Sequence, residues 1–146
     1  MTNQENIALL DSVGASRPTE SSDRPRQVLL VEDDWALRRY LEVVLIRAGY
    51  KVMSAADGLA AMKLTLTSPF DIVVTDAVMP KLNGYELCRF IRNNPQLSHL
   101  PIVLLSALGR KEAEREAIEA DAFLSKPVSA EDLTECVEDL LLHRKS

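Results

Sequence analysis

Four short apolar runs in this chain each stop at a polar side chain of particular chemistry. "VLLV" (28–31) is followed by Glu32, Asp33 and Asp34, "IVVT" (72–75) by Asp76, "IVLL" (102–105) by Ser106, and "AFLS" (122–125) by Lys126 and Pro127. Each residue alone has an ordinary reading. Asp33 or Asp34 can cap a helix, Asp76 can open a turn ahead of Pro80, Ser106 can be a turn hydroxyl, and Lys126 a solvated charge. Taken together they are complementary: acids, a hydroxyl and a cation. An acid at the mouth of an apolar strand is costly to charge unless something compensates it. Two like charges about 4 Å apart repel by roughly 4 kcal/mol at an effective dielectric near 20. Lys126 supplies one positive charge, and a hard divalent cation would supply two more. A few carboxylates with open positions suit Mg²⁺, which keeps waters and shares phosphate oxygens. Carboxylates, Mg²⁺, a lysine and a hydroxyl make a phosphoryl-transfer constellation. A carboxylate can itself be the nucleophile, giving an aspartyl phosphate.

If the runs before them are parallel strands, all these groups converge on one edge of the sheet. The pattern from residue 27 onward supports that arrangement. Leu37, Leu41, Val44, Leu45 and Ala48 recur at helical spacing, and Gly49 stops the helix. Further strands are expected at 50–55, 71–75, 102–105 and 122–124, alternating with helices at 58–67, 83–94 and 109–120. A last helix starts at Ser129, whose hydroxyl can cap it with Asp132 three residues on reaching back, and Leu133, Val137, Leu140 and Leu141 are its apolar positions. Continuous apolar strands separated by helices predict an α/β fold, a five-stranded parallel sheet with helices on both faces. Five such units fit the flavodoxin-like strand order 2-1-3-4-5, in which sites form at the carboxyl ends of the strands.

Composition narrows the class. The chain has 146 residues, a length for one domain, with 47% hydrophobic and 27% charged residues and a net charge of −5. Without a basic stretch, direct nucleic-acid binding is not expected. No apolar run is long enough to span a bilayer, and no secretory signal is visible, so a cytoplasmic protein without membrane insertion is expected. Cys88 and Cys136 lack metal spacing and read as reduced thiols. Residues 1–26, rich in Ser, Pro, Gly and mixed charge, read as a flexible tail, with "IALL" (7–10) its one apolar turn. The domain proper is assigned to 27–146.

The segments "VLLVEDD", "DIVVTDAVMPKLNGYEL", "PIVLLSA" and "FLSKP" resemble the receiver domain of two-component response regulators, the CheY-like fold. The resemblance covers residues 27–144. It implies that Asp76 is the phosphoacceptor and that Glu32, Asp33 and Asp76 hold Mg²⁺ with the backbone carbonyl of Val78. Asp34 is set aside as a ligand because it starts the following helix. Ser106 would move onto the phosphoryl group, Lys126 would pair with its oxygens beside a cis peptide at Pro127, and Phe123 would be the aromatic switch. Apolar Val78 and Leu108 would flank the path of hydrolytic water and slow self-dephosphorylation. Two departures stand out: Glu119 replaces a common glycine, and Cys136 and His143 replace arginines used by receivers that dimerise for DNA binding.

The function so implied is a stand-alone receiver in phosphorelay signal transduction. A sensor histidine kinase or histidine phosphotransfer protein would supply the phosphoryl group, and a downstream protein target would read the result. Two alternatives are a receiver that is part of a larger regulator, and a pseudo-receiver that binds partners without phosphorylation. A turnover enzyme of haloacid-dehalogenase type needs a second acid two residues past the nucleophile. That position is Val78, so a phosphoacceptor rather than an enzyme is expected.

Overall fold

The computed structural model describes residues 24–107 and 119–144. The tail expected at 1–26 is outside the described residues except for its last three, as are Leu108 and nearly all of the helix expected over 109–120. In chain order the described elements are β1 (Gln27–Val31), α1 (Trp35–Arg47), β2 (Lys51–Ala55), α2 (Gly58–Thr67), β3 (Ile72–Asp76), α3 (Gly84–Asn93), β4 (Ile102–Ser106), β5 (Ala122–Ser125) and α4 (Ala130–Arg144). All strand pairs are parallel, in the order β2-β1-β3-β4-β5. The strand order and fold class are those expected.

Side chains alternate between two covered faces, so the central strands carry apolar residues on both. Leu29, Val31, Val73, Ile102 and Leu104 face α2 and α3, packing with Ala61, Leu87, Cys88 and Ile91. Val28, Leu30, Ile72, Val74, Val103 and Leu105 face the other way, against Leu41 and Leu45 of α1 and Leu133, Val137 and Leu141 of α4. Each fully buried Leu, Val or Ile contributes roughly 1.5–3 kcal/mol of transfer free energy. β2 lies at one edge of the sheet, and its burial alternates, with Lys51 and Met53 outward. Both cysteines are free thiols. Burial pushes Cys88 up to about 12 and Cys136 up to about 11, so neither is a reactive thiolate near neutral pH.

The strands run one residue further than expected at the edge that matters. Asp76 and Ser106 close β3 and β4 rather than following them. The ladder continues past both side chains, because Ala77 N–H donates to the Leu105 carbonyl at 2.8 Å and Lys126 N–H to that of Ser106 at 2.9 Å. The sheet itself therefore fixes both polar residues.

Helix termini follow capping rules. The Asp34 carboxylate accepts from Ala36 N–H and Leu37 N–H at 3.0 and 3.2 Å, and Ser129 Oγ accepts from Asp132 N–H at 3.0 Å. Gly49, at φ 102°, turns the chain out of α1. Asn83 and Glu86 form a reciprocal capping box on α3.

Arg92 ties the far edge of the sheet together. Its guanidinium donates to the carbonyls of Glu119 (3.0 Å), Ser98 (3.0 Å) and Leu100 (2.6 Å) and to Asp121 Oδ2 (2.7 Å). Asp121 Oδ2 also accepts from Ile102 N–H at 2.8 Å, so one carboxylate joins α3 to the start of β4. Arg92→Ala is expected to cost about 2–3 kcal/mol, because it strands three carbonyls and half of an ion pair. Urea melts should show a lower midpoint with an unchanged slope, and a loss below about 0.5 kcal/mol would contradict the assignment.

Candidate acidic site at the sheet edge

Parallel pairing brings the carboxyl ends of β1, β3, β4 and β5 to one edge, and the chemically distinct residues gather there. Glu32, just past β1, is 1% exposed, Asp76 is 6% and Ser106 is 3% exposed, whereas Asp33 is open to solvent. Lys126, just past β5, lies 2.9 Å from Asp76 Oδ1 and 3.3 Å from Glu32 Oε1 through its Nζ. The Lys126–Pro127 peptide is cis. Glu32 Oε2 accepts from Asp34 N–H at 3.1 Å.

Charge balance in this cluster is incomplete. Burial pushes the Glu32 carboxyl up, and Asp76 adds to that, while the Asp34 amide and Lys126 only partly offset it. Burial alone would lower the Lys126 ammonium, but Asp76 and Glu32 outweigh it and hold its pKa above the ordinary value. Carboxylate oxygens of Glu32, Asp33 and Asp76 lie within 4.8 Å of one another. Glu32 Oε1 is buried without a hydrogen-bond donor among the described residues; its Lys126 contact is an ion pair outside hydrogen-bond geometry. A trio of hard oxygen donors with one orphaned buried oxygen fits a divalent cation such as Mg²⁺.

Asp34 is committed to capping α1 and stands outside the acidic trio. Val78 lies two residues past Asp76, with its side chain 68% exposed. Phe123 pairs with Leu104 in the sheet and is half-buried against the α2–α3 side of the core. Trp35 opens α1 two residues past Asp33 and is 70% exposed.

Residues 28–138 match the family model described as the response regulator receiver domain. The chain belongs to that family. This receiver is 36% identical over 118 residues to the probable transcriptional regulator ycf27 of Cyanophora paradoxa, covering 80% of this chain and 48% of that protein. It spans about half the length of the curated relatives it matches. Chemotaxis response regulator CheY4 of Vibrio cholerae superposes with a TM-score of 0.76 at 30% identity, over 80% of this chain and 99% of that one. Response regulator protein TrrA of Thermotoga maritima, solved in complex with Mg²⁺-BeF, gives a TM-score of 0.72 at 28% identity, over 79% and 98% of the two chains. The curated relative is a transcriptional regulator by name, so the expectation of no nucleic-acid contact gains no support from it. No helix among the described residues is long and apolar enough to cross a membrane.

Two glycines that bear on the site, Gly58 and Gly84, carry little signal in the sequence. Each simply follows a capping residue, Asp57 or Asn83, at a position where many residues would serve.

Proposed function

We propose that this receiver accepts a phosphoryl group on Asp76 from a phosphohistidine and thereby switches its binding to a protein partner. One observation carries the reading: Lys126 Nζ is shared between Asp76 and Glu32, at 2.9 and 3.3 Å, inside a trio of acids whose carboxylate oxygens lie within 4.8 Å of one another. A carboxylate oxygen of Asp76 attacks phosphorus as the P–N bond of the donor breaks. The donor imidazole, protonated on its other ring nitrogen, leaves with the electron pair as neutral histidine. Lys126 and Ser106 face the phosphoryl oxygens, one as a charge and one as a hydroxyl donor. Glu32, Asp33 and Asp76, with the Val78 carbonyl, would hold Mg²⁺, which neutralises charge on the phosphoryl oxygens when bound. The donor is a sensor histidine kinase or a histidine phosphotransfer protein. The match to only half of each curated relative favours a receiver that works as part of a larger regulator, alongside the stand-alone reading.

Phosphorylation adds about −1.5 to −2 charges. In the switch, the Ser106 hydroxyl moves onto the new group and Phe123 turns into the vacated space, a population shift between two packings. Ser106→Ala should still take up phosphate while the Phe123 ring resonances keep their unphosphorylated shifts. Equal Phe123 shifts in phosphorylated wild type and Ser106→Ala would refute the relay through Ser106.

A further inference from the structure

"DG" at 57–58 and "NG" at 83–84 read as two ordinary helix entries, a cap followed by glycine. A first helical turn has no need of glycine, since alanine there is favoured by about 0.5–1 kcal/mol. The structure shows a different reason for each. A Cβ on Gly84 would lie 2.2 Å from the Asp76 carbonyl oxygen, and a Cβ on Gly58 would lie 1.7 Å from the Leu82 carbonyl oxygen and 2.6 Å from its carbon. Both obstacles are backbone, so neither can step aside by a rotamer change. The loop 77–83, which carries Val78, is thus pinned at its end by Gly84 and at Leu82 by Gly58. Lys81, in the same loop, has φ 72°, the sole left-handed non-glycine among the described residues. Its Nζ lies 3.7 Å from Oδ2 of Asp57, which also caps α2 by accepting from Ala60 N–H at 2.8 Å.

We propose that Gly58 is a positioning residue for the metal site: its bare backbone lets the first turn of α2 act as a backstop that sets the 77–83 loop against the acidic trio. This rests on the phosphoryl-acceptor reading above. A methyl group at 58 needs about 3.0 Å where 1.7 Å is available, so the loop must retreat by more than an ångström. Val78, whose carbonyl the proposed Mg²⁺ site uses as a ligand, lies on that loop, so a retreat that reaches it loosens that ligand. A purely helical role makes the opposite claim, that alanine at 58 is neutral or stabilising.

The test is a MgCl₂ titration of wild type, Gly58→Ala and Gly49→Ala, followed by calorimetry and Trp35 fluorescence. Gly49, at φ 102°, has open space where a methyl group would stand, with no atom within 4 Å. Gly49→Ala therefore strains the backbone without touching the loop and controls for lost stability. Gly58→Ala should bind Mg²⁺ about tenfold or more weakly, the scale of an outer-shell defect, while Gly49→Ala keeps the wild-type midpoint. Wild-type affinity in Gly58→Ala would overturn the proposal. Should Gly58→Ala fail to fold, hydrogen exchange of the wild type decides. Mg²⁺ should slow exchange at Ala60 and Ala61, both of which donate to Asp57. Unchanged exchange there, with slowing confined to Ala77 and Val78, would overturn it. A wild type that binds no Mg²⁺ would instead remove the phosphoryl-acceptor reading on which the proposal stands.

Discussion

Lys126→Met should lower the stability of the metal-free receiver by about 3 kcal/mol, and MgCl₂ should restore much of the loss. The lysine is 23% exposed in its side chain, while the side chains it pairs with, Glu32 and Asp76, are 1% and 8% exposed. Methionine keeps the packing of the alkyl stem and removes only the charge. Two buried acids then face each other with no cation between them. Breaking one half of a buried pair costs about 3–5 kcal/mol. The lower end applies here because Glu32, already pushed up by burial, can take a proton and relieve the repulsion. In a domain of this size the loss corresponds to a melting temperature lower by roughly 10 °C. A more negative trio also attracts a divalent cation more strongly, so added Mg²⁺ should raise the melting temperature of Lys126→Met more than that of wild type. A change below about 1 kcal/mol, or equal responses to Mg²⁺, would show that Lys126 does not neutralise the site.

Much of this arrangement is legible in the sequence, for physical reasons. β1, β3 and β4 carry apolar residues on both faces because both faces are covered; a strand wet on one face would alternate instead, as β2 does over Lys51–Ser54. Once the strands are parallel, Glu32, Asp76, Ser106 and Lys126 must share an edge. Asp34 is legible as a cap from its place ahead of a helical repeat. The exact ends of β3 and β4 are not, because hydrogen bonds from Ala77 and Lys126 to neighbouring strands extend the ladder by one polar residue each. Gly58 and Arg92 are illegible for a related reason. Their roles depend on backbone brought near from Leu82 and from Ser98, Leu100 and Glu119, and no local spacing encodes such an approach.

The second large effect is all-or-none and concerns Asp76 itself. The proposed nucleophile is one carboxylate oxygen, placed at the last position of β3 and held by Lys126 at 2.9 Å. Asparagine is nearly isosteric, keeps an oxygen within reach of the ammonium and leaves the strand pairing untouched. An amide is a far weaker nucleophile than a carboxylate, so the substitution removes the chemistry and spares the fold. The neighbouring acids, Glu32 and Asp33, are close enough to test the assignment severely, since either could take the group if proximity alone were enough. The decisive measurement is intact mass after incubation with a small acyl phosphate and MgCl₂. Wild type should gain one phosphoryl increment only when MgCl₂ is present, and Asp76→Asn should gain none; equal labelling of the two proteins would contradict Asp76 as the acceptor.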